Sequence, residues 1–124
     1  MKKLFLILGL FFMVSAVALS QTQVLSDMWC ANTETPNYTL HQNSGERKIT
    51  IEVNFLKPFE NKPDVVVGVS ALAADKNQDV RYSVSAKSIS RDGFIIEVAT
   101  WGESKIYTIC GFWVAHAETS SMGN

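Results

Sequence analysis

The sequence predicts an all-β domain, an antiparallel sandwich or barrel of five or six short strands. Three observations predict it. Apolar and polar residues alternate with a period of two over most of the chain beyond residue 20. Turn-forming residues punctuate that alternation at short intervals, most plainly at Arg91-Asp92-Gly93. Beyond the N-terminus no stretch has the periodicity of a long amphipathic helix.

The first twenty residues stand apart. Lys2 and Lys3 precede an apolar run from Leu4 to Val14, broken only by Gly9, and small residues follow from Ser15 to Ser20. That order is expected of a secretory signal peptide, cleaved after Ser20 with Ala18 at −3, or alternatively after Ala18. The run falls short of the roughly 20 apolar residues that a membrane-spanning helix needs. Removing residues 1–20 would leave 104 residues, enough for one core, and would move the formal net charge from −1 to −3. A mildly acidic chain without a basic run has no footprint for nucleic acid or an anionic membrane surface. A secreted, extracellular protein without membrane insertion is the expectation.

Residues 21–47 read as an N-terminal segment with a loop and room for an edge strand. Residues 48–117 read as the β core, and 118–124 as a frayed polar tail. Within the core, Ile49, Ile51, Val53 and Phe55 share one face of the first strand, with Lys48, Thr50, Glu52 and Asn54 on the other. Pro58 and Asn61-Lys62-Pro63 form a connection. Asp64 to Leu72 is a β-branched run without clear alternation, as suits a strand covered on both sides. Asp79 to Ser90 alternates again, with Val80, Tyr82, Val84 and Ala86 on one face and Arg81, Ser83, Ser85 and Lys87 on the other. The turn at 91–93 leads to a strand from Phe94 to Trp101. The turn Gly102-Glu103-Ser104-Lys105 leads to the last, from Ile106 to about Ala117.

Export would place Cys30 and Cys110 in an oxidising compartment, where an intrachain disulfide is the natural reading. An interchain bond and two free thiols stay open, because distance is not legible in sequence. Asn37-Tyr38-Thr39 has the N-glycosylation pattern, which counts only in a eukaryotic host.

Nothing in the chain favours an enzyme. His41 and His116 lack metal-ligand spacing to a cysteine or carboxylate, the carboxylates are scattered singly, and no nucleophile elbow or phosphate loop is present. No cofactor or metal is expected. The residues with recognition chemistry are Arg81, Trp101 and Tyr107. An exposed aromatic ring can stack on the C–H face of a pyranose. A guanidinium can bridge neighbouring hydroxyls with its rigid fork of donors, and a tyrosine hydroxyl can donate or accept beside it. Packing at a sheet end is the competing explanation for the two rings. Strand parity also sets a condition: with a four-residue turn at 102–105, Trp101 pairs with Ile106 and Tyr107 faces away. A five-residue loop or a bulge is needed to bring both rings to one side.

A series of segments carries a resemblance. Pro63 to Leu72, Val80-Arg81-Tyr82, Asp92-Gly93-Phe94, Thr100-Trp101-Gly102-Glu103-Ser104-Lys105-Ile106-Tyr107 and Trp113-Val114-Ala115 together resemble the H-type lectin domain, over about Ile49 to Ala115. The resemblance implies a six-stranded antiparallel β-sandwich that assembles as a homotrimer or higher homo-oligomer. It also implies shallow sites between protomers for glycans bearing terminal N-acetylgalactosamine or galactose. The family's sugar-contacting arginine, tryptophan and tyrosine fall on Arg81, Trp101 and Tyr107, and its paired rings favour the five-residue loop. Two positions depart from the pattern. The loop that supplies an aspartate to the neighbouring site reads His41 to Glu46 here, leaving Asn43, Ser44 and Glu46 as hydrogen-bond acceptors. Gly102 follows the tryptophan where some members carry a larger polar residue, which opens the site. A structural or protein-binding sandwich with a degenerate sugar site is the alternative that the missing aspartate supports.

Overall fold

The computed structural model describes residues 21–42 and 44–119. The signal-peptide reading of residues 1–20, the candidate Asn43 and residues 120–124 lie outside them. Six strands form two three-stranded antiparallel sheets: β1 (Gln21–Asn32), β2 (Arg47–Asn54), β3 (Asp64–Ala74), β4 (Tyr82–Lys87), β5 (Gly93–Thr100) and β6 (Ile106–Thr119). One sheet has the order β1-β6-β3 and the other β2-β5-β4. The all-β, six-stranded sandwich expected from the sequence is the fold observed.

Alternation builds the interior. Ile49 and Phe55 are buried and Ile51 and Val53 partly so, on the face their parity assigned. Phe94, Ile96 and Val98 oppose them from β5, and Ile109, Trp113 and Ala115 come from β6 of the facing sheet. An aromatic cluster fills one end of this core, with Phe55 5.0 Å from Phe59 and 5.7 Å from Trp113 between ring centroids. Phe59 is fully buried although it lies in the connection after β2, so that connection is pinned to the core. At the other end Tyr38 and Leu40 enter from the β1–β2 connection. The Tyr38 hydroxyl donates to the Ile106 carbonyl at 2.5 Å, and burial pushes the phenol up to about 12.

Four expectations change in detail. Residues 21–32 are a full-length edge strand, paired with β6 from Gln21↔Thr119 to Asn32↔Thr108. The run from Asp64 is not covered on both sides. It forms the other edge of the same sheet, and Val66 and Leu72 are exposed on it. The last strand runs through Thr119, two residues past the expected core boundary. Finally, β5 and β6 belong to different sheets, so residues 101–105 cross the sandwich and do not close a hairpin. Among the described strands only β4 and β5 are adjacent in both sequence and sheet, and the connection between them runs over 88–92. The hairpin is where the sequence put it, but Gly93 is already the first residue of β5 and the left-handed residue is Ser88, at φ +52. Gly93 is therefore needed for its close approach to the Val53 carbonyl and not for a positive φ.

Cys30 and Cys110 are opposite residues in the β1–β6 ladder and are disulfide-bonded within the chain. The bond ties the N-terminal edge strand to the central strand of its sheet, as the intrachain reading expected.

Candidate functional site

The topology sends three connections to one end of the sandwich: residues 33–46 between β1 and β2, 75–81 between β3 and β4, and 101–105 between β5 and β6. Loops on a rigid sheet frame are where binding residues concentrate, and every described residue with recognition chemistry falls here. Arg81 is not on a strand face, because β4 starts one residue later. It lies in the approach to β4, side chain exposed, its Nη2 3.6 Å from Asp79 Oδ2. With Gln78, Asp79, Gly102 and Glu103 it lines an open recess of about 210 Å³.

Trp101 leaves β5 directly after the buried Thr100 and is 41% exposed, a large ring turned to solvent. Gly102 follows with φ +67, a left-handed conformation that side chains rarely adopt. A side chain there would have room, since the nearest atom to an ideal Cβ is Arg81 Nη1 at 3.5 Å. Backbone conformation therefore favours glycine at this position, in addition to the opening that its small size creates.

At Tyr107 the structure has a bulge, one of the two devices that the parity condition named. In the β3–β6 ladder Ala74 pairs with Ile106 and Ala73 with Thr108, which leaves Tyr107 as the extra residue of a bulge. Ile106 and Ile109 both stay buried while Tyr107 turns outward, 40% exposed. Its hydroxyl lies 3.4 Å from Asp75 Oδ2 in the neighbouring connection.

Buried polar residues that sequence reading passed over stitch the three loops together. Ser104, 1% exposed, donates its hydroxyl hydrogen to the Asp79 carbonyl at 2.6 Å and accepts the Arg81 N–H at 2.7 Å. Thr100 Oγ1 donates to the Arg81 carbonyl at 2.5 Å, and the Asp75 N–H donates to the Lys105 carbonyl at 2.9 Å. Arg47, at the start of β2, reaches carbonyls of both the 41–46 and the 101–105 loops. One signal could have found Arg47. Extending the inward parity of Ile49, Ile51 and Val53 back by two puts a charged residue on the core side.

The remaining candidates are placed less closely. Ser44 and Glu46 are exposed on the loop whose Gly45 N–H donates to the Gly102 carbonyl at 3.1 Å. Glu46 lies 3.7 Å from Lys48 Nζ. Asn37 is exposed at a turn with φ +64, away from the core-facing Tyr38. Among the described residues no group of three or more His, Cys, Asp or Glu side chains is placed to hold a metal ion.

Comparison with known proteins agrees with this architecture. Residues 50–116 match the H-type lectin domain. The chain is 33% identical over 72 residues to "ATP synthase subunits region ORF 7" of Fuscovulum blasticum, covering 58% of this chain and 63% of that protein. It is 28% identical over 107 residues to a discoidin-1 polypeptide of Dictyostelium discoideum, covering 86% of this chain and 41% of the relative. The solved structure of wild-type discoidin II from the same organism superposes with a TM-score of 0.65 at 23% identity, over 82% of this chain and 38% of that one. The structural likeness speaks for the fold. The chain spans less than two thirds of the length of each of these proteins.

Proposed function

Because the chain belongs to the H-type lectin domain family, a family of lectins and not of enzymes, we propose that it binds carbohydrate through the three-loop end of the sandwich. The observation that carries this reading is that Arg81 and Trp101, on two of the connections, and Tyr107, at the start of β6, are all exposed at that one end. Trp101 offers a flat apolar ring to the C–H face of a pyranose. Arg81 offers paired donors to adjacent hydroxyls, and Tyr107 a hydroxyl beside them. Such a set suits a neutral pyranose, and the family resemblance narrows the proposal to a galactose-type sugar, N-acetylgalactosamine or galactose. Ser44 and Glu46, with Asn43, supply acceptors from the loop where the family pattern has an aspartate.

Single sites of this shallow kind bind weakly, so useful strength comes from several acting together. Assembly is supported by the outer face of the β1-β6-β3 sheet, where Val24, Met28, Val66 and Phe112 stand exposed in one region. Phe112 lays its ring over Gly68 of the neighbouring strand, which extends the apolar surface. We read this patch as an interface, and a cyclic homotrimer closing over it would set several sugar sites on one particle. Export through the N-terminal segment would put that particle outside the cell, in a role of agglutination, adhesion or glycan recognition.

A glycan array probed with the wild type and with Arg81→Ala tests the reading. Selective signal for terminal galactose or N-acetylgalactosamine, lost in the variant, is the expected result. Silence of the folded wild type on every glycan would overturn it in favour of a structural or protein-binding sandwich, the reading that the missing loop aspartate favours.

A further inference from the structure

We propose that Arg47 is a positioning residue for the carbohydrate site: it touches no sugar, and it sets the relation between the loops that do. The inference rests on the lectin reading above. Arg47 opens β2 opposite Thr100, its side chain on the core side and the residue only 9% exposed. Its Nε donates to the Gly45 carbonyl at 3.0 Å and its Nη1 to the Gln42 carbonyl at 2.7 Å. On the other side Nη1 donates to the Ser104 carbonyl and Nη2 to the Gly102 carbonyl, both at 2.8 Å. One planar guanidinium thus spans two loops that have no regular structure of their own. The Gly45 N–H to Gly102 carbonyl bond closes the bridge directly.

The run of contacts does not stop there. Ser104, whose carbonyl Arg47 holds, uses its hydroxyl to hold the Asp79 carbonyl and the Arg81 N–H. A continuous set of hydrogen bonds therefore joins the 41–46 loop, through Arg47 and Ser104, to the backbone of Arg81. Trp101 and Gly102 lie on the segment between these anchors. A residue serving stability alone at this inward position would be apolar, like Ile49, Ile51 and Val53 on the same face. A guanidinium there carries a desolvation cost, and what it gives in return is geometry: several donors fixed in one plane, which neither lysine nor an apolar residue reproduces. Loops held in place before the ligand arrives lose less freedom when it binds.

The test compares wild type, Arg47→Lys and Arg47→Met, each expressed from the full chain. Two measurements are made on each. One is affinity for an N-acetylgalactosamine-bearing polymer. The other is amide hydrogen exchange at Gly45 and Arg81, with Ile96 and Val98 as core references. Arg47→Met is expected to weaken binding at least 10-fold and to speed exchange at Gly45 and Arg81, with the core amides unchanged. Arg47→Lys, whose single ammonium cannot span both loops, should fall between. Unchanged affinity and loop exchange in folded Arg47→Met would overturn the proposal. So would a loss of affinity that appears only together with lost protection of Ile96 and Val98, because that is a role in folding. If Arg47→Met does not fold, Arg47→Lys decides on the same two readouts. Should the wild type bind no polymer, the lectin reading fails. Loop exchange then judges Arg47 alone: acceleration confined to Gly45 and Arg81 supports the positioning role, and its absence overturns it.

Discussion

Removing the Ser104 hydroxyl is the most economical perturbation of the site's frame. Ser104→Ala deletes one oxygen that serves both as donor to the Asp79 carbonyl and as acceptor from the Arg81 N–H. The residue itself is 1% exposed, while its partners Asp79 and Arg81 lie on an exposed connection, so water replaces those bonds only in part. Each ordinary hydrogen bond contributes about 1 kcal/mol net, and a buried group left without a partner costs about 1–3 kcal/mol. Two orphaned backbone groups at the edge of the core place the expected loss at about 2 kcal/mol. For a domain of this size 1 kcal/mol moves the melting temperature by about 4–8 °C, so the variant should melt about 8–16 °C lower. Urea denaturation followed by fluorescence measures the change, with Ser104→Cys as a shape-preserving control expected to fall between. A Ser104→Ala variant within about 0.5 kcal/mol of wild type would refute the reasoning, since the loops would then be held by something other than this hydroxyl.

Other consequences follow from the same structure. Tyr38 has its phenol pushed up to about 12 by burial, against an ordinary value near 10. The folded state holds that proton more tightly than the unfolded one. Its contribution to stability is therefore intact below pH 10 and lost as pH rises from about 10 to 12; Tyr38→Phe should flatten that alkaline limb while losing about 1 kcal/mol at neutral pH with the bond to Ile106. Eliminating the disulfide with Cys30→Ala and Cys110→Ala together, which frees a separation of 80 residues, should cost about 4 kcal/mol by chemical denaturation in the chain-entropy account. Met28→Glu with Phe112→Glu puts charge on the outer face of the β1-β6-β3 sheet. Sedimentation should show assembled wild type and a folded, monomeric double variant, and an unaltered mass would contradict assembly through that face.

How far sequence alone reached depends on what kind of fact was sought. Period-two alternation placed Ile49, Ile51, Val53 and Phe55 on the correct face, because burial of one sheet face writes itself into every second residue. The hairpin between β4 and β5 was legible too, although its left-handed residue is Ser88 and not Gly93. Partnership between strands was not. The β-branched run from Asp64 looked doubly covered, yet it is an edge strand on which Val66 and Leu72 are exposed. Likewise the 101–105 segment looked like a hairpin turn, and only the structure shows it crossing between sheets.

The candidate site divides in the same way. Arg81, Trp101 and Tyr107 announced themselves by side-chain chemistry, and the three-loop end collects them. Arg47, Ser104 and Thr100 did not, because their work is to bond backbone atoms of distant segments, and such partners leave no mark on local pattern. Arg47 was nonetheless detectable as a charge at an inward parity position. The outward turn of Tyr107 depends on a bulge that strict alternation cannot express.

Amide chemical-shift mapping during titration with N-acetylgalactosamine tests most directly whether the three-loop end binds a sugar. Saturable shifts are predicted at Gly45, Arg81, Gly102 and Ser104 and at the Trp101 indole, with the β1-β6-β3 outer face unmoved. No shifts at saturating sugar, or shifts confined to that outer face, would contradict such binding.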